Sequence, residues 1–271
     1  MKSLIYGLLL VLFLWYVNGS FGTLAAVGMG VAILLVFIWI RRAALLTHIA
    51  VQAYYIKGDA KKGEKYFKMA HKTGSMTPEC KIQYSSFCLR ENDFRTGRRL
   101  LYEIINSKSV SRAQKLDAKH NLAVLIWKEG DINEAIETLE EVHEEKPASN
   151  TYGTLGVFYL ERAKEDGNYD NIVDFMLEAY EYNDSDKTIA DNLGETYLKM
   201  GEYEKAKEVY EKLLVTEFVT PMPYYNFGLV LKALGENEMA LENFEKALNC
   251  RFTSVLTVTK EMVQAEIDSL N

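Results

Sequence analysis

The sequence predicts an all-α protein in which an apolar helical hairpin precedes a solenoid of repeated helix pairs. Three observations predict this fold class. A unit of about 34 residues recurs six times over residues 44–254, residues 1–42 carry no acidic side chain, and residues 255–271 have the pattern of one amphipathic helix. A fixed period of this length is typical of solenoids, in which each unit buries its apolar face only against its neighbours.

The first 42 residues are predicted to be a membrane anchor. Two apolar runs, 3–17 and 23–40, are separated by a turn-like stretch at 18–22. The second run spans about 27 Å as a helix, which is enough to cross the hydrocarbon core of a bilayer. The first run is shorter and is marginal as a span.

Two interpretations compete for the first run. It is either a cleaved signal peptide with Lys2 as its charged end, or the partner of the second run in a membrane hairpin. Trp15, Tyr16 and Trp39 are placed as interfacial aromatics, which favours the hairpin. A face of small residues on the second run would let the first helix lie close, although glycine is also common in membrane helices generally. These small residues are Gly22, Ala26 and Gly30.

The positions of the positive residues predict the orientation. Arg41 and Arg42 follow the second run directly, and Lys2 lies at the other end of the hairpin. Because positive residues stay on the cytoplasmic side, both termini and the repeats are predicted to face the cytoplasm. The three cysteines contain no CxxC pair, which agrees with a reducing compartment. The Lys-, Glu- and Tyr-rich, Pro-poor composition suits a bacterial chain, so the predicted location is a bacterial cell membrane.

The repeat is clearest in its last two copies, around Gly194 and Gly228, which correspond position by position at an offset of 34. Each copy is predicted to be a helix, a tight turn and a second helix. Small residues lie where the two helices approach closely, and large residues such as Tyr210 and Phe244 fill the space between units. The predicted unit starts are Ala44, Pro78, Leu116, Ser149, Lys187 and Pro221.

These residues resemble the tetratricopeptide repeat consensus over about residues 44–254, with Val51 and Ile172 as departures where a small residue is expected. The resemblance implies a right-handed superhelix whose first helices line a concave, protein-binding groove. The final amphipathic helix, 255–271, is predicted to cap the open end of the stack, as terminal units of solenoids must.

The register of the first helices predicts which side chains line this groove. Its aromatic members are candidate anchors for a partner segment, and its lysine and arginine side chains are candidate partners for carboxylates. The predicted groove residues are His48, Gln52, Tyr55, Arg90, His120, Trp127, Lys128, Asp191, Glu195, Lys199, Tyr225 and Lys232.

Charge is sorted along the chain, whose net charge is −7. Residues 43–115 carry 14 Lys and Arg against 6 Asp and Glu, whereas residues 116–271 carry 14 against 32. Four lysines of one helix fall within about 60° of arc. They are interpreted either as a contact with the anionic cytoplasmic leaflet or as a solvated outer face. The residues predicted for membrane-surface contact are Arg41, Arg42, Lys61, Lys65, Lys68, Lys72, Arg95, Arg98 and Arg99.

No catalytic motif is found in the sequence. The four histidines lie in different units, and the chain has no HExxH, GxSxG or P-loop pattern. The predicted protein is therefore not an enzyme and is expected to use no metal, cofactor or small-molecule substrate. Nucleic acid is a poor partner because the acidic half would repel phosphate.

The predicted function is that of a non-catalytic, membrane-anchored scaffold or adaptor that binds protein partners at the cytoplasmic face. Two alternatives remain open. In the first, the chain is an assembly or quality-control factor for a membrane complex, and the hairpin contacts the client. In the second, it is a regulatory subunit of an enzyme encoded elsewhere.

Overall fold

Helices make up all of the regular structure in the part of the chain that the structure, a computed structural model, describes. That part is residues 2–253 and 256–270, and the side chains of 2–10, 165, 166 and 170 are not described. The chain divides into two compact units, Met1–Gln83 and Tyr84–Asn271. Each unit is described by itself.

The N-terminal unit begins with two long helices, α1 (Lys2–Phe21) and α2 (Thr23–Val51). A π-helical segment, Gln52–Ile56, continues α2, and α3 (Ala60–Lys72) packs against α2. The second apolar helix therefore continues past Arg41 and Arg42 without a break, which agrees with the absence of glycine and proline before Gly58.

The turn between α1 and α2 is a single residue, so the predicted five-residue turn at 18–22 is wrong. The backbone N–H of Gly22 still donates to the carbonyl of Asn18 at 3.0 Å, and α1 remains helical up to Phe21. Gly22 then adopts a φ of +86°, which residues with a side chain rarely adopt, and the chain reverses there.

The two helices run antiparallel and in contact. A Cβ built on Gly30 would lie 3.9 Å from the methyl carbons of Leu14, and both residues are eight positions from Gly22. Ala26 and Gly30 are half-buried on the same face of α2. The small-residue face therefore lies toward α1 through Ala26 and Gly30, whereas Gly22 forms the turn.

One helical stretch among the described residues, Thr23–Ile56, is long and apolar enough to cross a membrane. Its apolar window is not buried within the chain, and Val11–Phe21 of α1 forms a shorter apolar stretch. The complete α1 helix is about 30 Å long at 1.5 Å per residue, so it extends further than the predicted helix at 3–17.

The C-terminal unit is a row of paired helices in which each helix packs against the next. Chain neighbours pack tightly, and the first helices of successive pairs also contact one another, α6 with α8, α8 with α10 and α10 with α12. The helices are α4 (Pro78–Arg90), whose first half belongs to the N-terminal unit, α5 (Phe94–Ile105), α6 (Arg112–Glu129), α7 (Ile132–Glu145), α8 (Ser149–Asp166), α9 (Asp170–Tyr182), α10 (Lys187–Lys199), α11 (Tyr203–Leu213), α12 (Met222–Ala233), α13 (Asn237–Leu248) and α14 (Lys260–Leu270).

Close approach within a pair depends on glycine. A Cβ on Gly194 of α10 would lie 2.7 Å from the ring of Tyr210, and one on Gly228 of α12 would lie 2.5 Å from the ring of Phe244. Both rings are fully buried. The aromatic side chain of the second helix therefore occupies the volume that a side chain on the first helix would need.

The sequence predicts that the last helix begins at residue 255. In the structure this helix, α14, begins at Lys260. Position 255 lies outside the described residues, and 256–259 are not helical. The hydroxyl of Thr259 accepts a hydrogen bond from the N–H of Met262 at 3.3 Å and so caps the first turn of α14. Val263 and Ile267 join the buried cluster around Phe244, which closes the apolar face of the last pair.

Replacing Val263 by alanine is expected to lower the free energy of unfolding by about 2 kcal/mol, because the side chain is fully buried against the last pair. Met262, its neighbour on α14, is 41% exposed and provides the matched control. Its replacement by alanine should change stability by no more than about 0.5 kcal/mol. Thermal unfolding of the full chain in detergent measures both, and equal effects would contradict the capping role.

Candidate functional site

The first helices of the C-terminal unit line a cavity of about 450 Å³. Its walls come from α6, α8, α10 and α12, with residues from the segments that precede α12 and α14. Two partly exposed aromatic side chains, those of Trp127 and Phe218, contribute to the apolar wall, and the fully buried Phe158 packs behind Trp127 at 5.4 Å between ring centroids. Three carboxylates also line it, those of Glu161, Asp191 and Glu195. Ligand sites commonly have this volume and this mixture of apolar walls with a few polar groups.

Asp191 and Glu195 lie one turn apart on α10, so both side chains lie on the same face of that helix. The Asn226 side-chain N–H group from α12 donates to Asp191 Oδ1 at 3.4 Å and to Glu195 Oε2 at 3.3 Å. The Tyr210 hydroxyl from α11 donates to Asp191 Oδ1 at 3.1 Å. The acid pair is therefore held by uncharged donors from the next two helices.

Burial shifts the ionisation of this pair. Burial and, to a smaller extent, the neighbouring Glu195 carboxylate raise the pKa of Asp191, the hydrogen bonds from Tyr210 and Asn226 lower it, and the net result is a pKa of about 7. Burial also raises the pKa of Glu195, which the ammonium groups of Lys164 and Lys199 partly offset. At neutral pH the pair therefore carries less than its full double negative charge.

Positive groups lie near the acid pair but have other contacts. Lys164 Nζ is 3.9 Å from Glu195 Oε1 and lies closer to Glu161, with which it forms an ion pair. Lys187, at the edge of the cavity, lies over the ring of Phe218 at 4.5 Å. Lys128 lies over the ring of Trp127 at 3.9 Å, and burial lowers the pKa of that ammonium group.

The cavity brings together three of the predicted groove residues, Trp127, Asp191 and Glu195. Two further predicted groove residues are not part of the cavity lining. Lys128 lies against the ring of its neighbour Trp127 on α6, and Lys199 is exposed at the end of α10.

Two other predicted groove residues are engaged within the fold. The ring of Tyr225 is buried against Phe244 at 5.9 Å, and Lys232 binds Glu266 and Ser269 of α14, each at 2.7 Å.

The remaining predicted groove residues lie apart from the cavity lining. His120 is half-buried with its Nε2 3.2 Å from the hydroxyl of Thr154 on α8, and burial lowers its pKa. Arg90 is half-buried on α4. His48, Gln52 and Tyr55 belong to the N-terminal unit, where His48 is exposed and the other two are half-buried.

The lysines predicted for membrane contact are all exposed on α3, namely Lys61, Lys65, Lys68 and Lys72. Lys68 forms an ion pair with Glu64. In the C-terminal unit, Arg95 and Arg99 are exposed, whereas Arg98 forms an ion pair with Glu129 of α6.

The two arginines after the apolar window differ in their contacts. Arg41 is exposed, with its guanidinium carbon 5.9 Å from the ring of Phe37. The guanidinium of Arg42 lies 4.3 Å from the ring of Trp39 and donates to the backbone carbonyl of Thr73 at 3.2 Å. Arg42 therefore connects α2 to the C-terminal end of α3.

Two asparagines that the predicted groove does not include, Asn192 and Asn226, join successive pairs. Asn192 donates to the carbonyl of Gly153 at 2.8 Å, and Asn226 donates to the acid pair one repeat back. The signal that could have found them is the repeat offset, since Asn226 follows Asn192 by 34 positions. Glu161, Phe218 and Leu256 of the cavity wall were also missed.

A family profile, tetratricopeptide repeat, matches residues 116–149, 189–214 and 223–250. These three segments are tetratricopeptide repeats. Tetratricopeptide repeat proteins are generally non-catalytic protein-interaction scaffolds. No curated protein matches the sequence.

Solved structures agree with the fold. A thermophilic TPR protein of Thermus thermophilus is similar over 72% of this chain and 98% of its own, with 17% identity and a TM-score of 0.57. The pilF protein of Pseudomonas aeruginosa is similar over 83% of this chain and 97% of its own, with 11% identity and a TM-score of 0.57. The APC/C hetero-tetramer Cut9–Hcn1 is similar over 84% of this chain and 42% of its own, with 13% identity and a TM-score of 0.62. At these identities the likeness shows the fold alone.

Replacing Asp191 by asparagine is expected to stabilise the fold at neutral pH and to change little at about pH 4. A carboxyl group whose pKa is raised on folding favours the folded state fully below its unfolded pKa of about 3.9. That contribution is lost as the pH rises through the folded pKa of about 7. Asparagine keeps an acceptor for Tyr210 and does not ionise.

The gain in unfolding free energy from this substitution should grow across that pH range to on the order of 1–3 kcal/mol. Chemical denaturation of the full chain in detergent at a series of pH values measures it. Asp174→Asn on α9, at an exposed position, is the matched control and should show no such growth. A gain that does not depend on pH would contradict the burial of the acid pair.

Proposed function

We propose that this chain is a membrane-anchored, non-catalytic adaptor that holds protein partners at the cytoplasmic face through the concave cavity of its repeats. The observation that carries the proposal is the cavity of about 450 Å³ formed by first helices of successive pairs. Its walls are largely apolar with a few convergent polar groups, the arrangement that takes side chains of a partner segment.

The arrangement of the polar groups in this cavity favours binding over catalysis. No cluster of three or more His, Cys, Asp or Glu suited to a metal ion occurs among the residues that the structure describes. The acid pair of α10 has its nearest hydrogen-bond donors in the side chains of Tyr210 and Asn226. Such an arrangement can bind charge, and it lacks a nucleophile next to a base.

The exposed apolar surface of α1 and α2 supports the membrane part of the proposal. Trp15, Phe21, Leu24 and Trp39 are each more than 60% exposed. A soluble protein rarely exposes contiguous apolar surface of this extent, whereas lipid tails would cover it. Arg41 and Arg42 at the end of the apolar window favour a cytoplasmic position for the repeats.

Photo-crosslinking from within the cavity tests the adaptor role. A photoreactive amino acid at Val157, which lines the cavity, should give discrete crosslinked protein species in cells that express the full chain. The same amino acid at Glu137, exposed on the second helix α7, is the control and should give few. Equal patterns from the two positions would contradict binding through the cavity.

Cysteine labelling tests the topology. A cysteine in place of exposed Glu208 on α11 should resist a membrane-impermeant maleimide in intact cells and react after permeabilisation. A cysteine in place of Gly19, beside the hairpin turn, should react in intact cells. The unsubstituted chain corrects for its own cysteines, of which Cys80 and Cys88 are buried. Labelling of the Glu208 position in intact cells would overturn the orientation.

A further inference from the structure

The cavity of the C-terminal unit is apolar in its walls and negative in its charge. The lining contains three carboxylates, Glu161, Asp191 and Glu195, against the single lysine Lys187 at its edge. That lysine lies over the ring of Phe218, and Lys164 on α8 is paired with Glu161. The free side of the acid pair therefore presents negative charge beside aromatic surface.

The acid pair is incompletely neutralised by the fold. Glu195 is 7% exposed, and its nearest ammonium, that of Lys164, lies 3.9 Å away. The hydrogen bonds that the structure gives to the Asp191 carboxylate come from Tyr210 and Asn226, which are uncharged. Burying a carboxylate costs free energy unless a cation pairs with it, so an incoming cation is stabilised here more than at the surface.

We propose that the cavity takes an arginine side chain from a partner protein, flanked there by aliphatic residues. The guanidinium binds Asp191 and Glu195, and the flanking residues pack on Trp127 and Phe218. This inference rests on the proposed adaptor function and names the chemistry of its partner. It reverses the sequence-based expectation that lysines and arginines of the groove bind carboxylates, because Lys232 is held by α14.

Arginine fits this site for two reasons. Its planar guanidinium carries several N–H donors that can bind two carboxylates at once, as the pair one turn apart on α10 requires. The guanidinium is also more weakly hydrated than an ammonium group, so it loses less hydration on entering a cavity with apolar walls. A metal ion fits less well, because the described residues provide no group of three suitable ligands.

The charged and titratable groups that act on the pair come from α8, α10, α11 and α12. They are Glu161 and Lys164 of α8, Lys187 and Lys199 of α10, Tyr210 of α11 and Tyr225 of α12. Asp191, with its pKa of about 7, is the group that changes charge near neutral pH. Arginine binding is therefore expected to strengthen as the pH rises from about 6 to about 8, because the carboxylate loses its proton.

Fluorescence anisotropy with short synthetic peptides tests the inference. Three labelled peptides share leucine-rich flanks and differ in one central residue, which is arginine, glutamine or glutamate. With the full chain in nanodiscs, the arginine peptide should bind at least about tenfold more tightly than the glutamine peptide, and the glutamate peptide should bind most weakly. Empty nanodiscs correct for binding to lipid.

Substitutions of the acid pair identify the site. Glu195→Gln and Asp191→Asn keep the shape of the side chains and should each reduce the preference for arginine over glutamine by about tenfold. Asp174→Asn removes the same charge from the exposed face of α9 and should preserve the preference. Far-UV circular dichroism checks that each variant is folded.

The outcomes separate the inference from the adaptor function. Equal binding of the arginine and glutamine peptides, no binding of the arginine peptide, or an unchanged preference in Glu195→Gln overturns the inference. If crosslinks from Val157 persist in that case, the adaptor function stands and only the partner chemistry is wrong. If those crosslinks are also absent, both proposals fail.

Discussion

The packing of an aromatic ring over a glycine is the contact on which the helix pairs α10–α11 and α12–α13 depend. The rings of Tyr210 and Phe244 lie over Gly194 and Gly228, so close that a methyl group at either glycine would overlap the ring. This contact sets the distance between the two helices of a pair. Because each pair packs against the next, this contact also helps to position α10 and α12, which form two walls of the cavity.

Tyr210 shows how one residue serves both the core and the cavity. Its ring fills the space above Gly194, and its hydroxyl donates to the Asp191 carboxylate on the same helix as that glycine. The orientation of the acid pair is therefore a consequence of core packing. Asn226 adds the contact from the following repeat, so the position of the carboxylates reflects three helices and not α10 alone.

The sequence was sufficient to predict the repeats and the side of α10 that faces the groove. A helical period of 3.6 residues, combined with an offset of 34, assigns each position to the core or to the groove. The sequence was insufficient to predict contacts made by helices outside the repeats, such as α14. Lys232 has the register of a groove residue, yet α14 brings Glu266 against it. Gly22 alone reverses the chain between α1 and α2, because it adopts a positive φ. The composition of residues 18–22, from which the five-residue turn was predicted, does not show this.

Arg42 gives the N-terminal unit a mechanical property. The helix that begins at Thr23 continues through Arg42 to Val51, a rod of about 44 Å, and the guanidinium of Arg42 holds the end of α3 through the carbonyl of Thr73. This hydrogen bond and the packing of α3 against α2 join the two helices across the non-helical connection at 57–59. In a bilayer, such a connection would convert a change in helix tilt or lipid thickness into a movement of the adjoining helix α3.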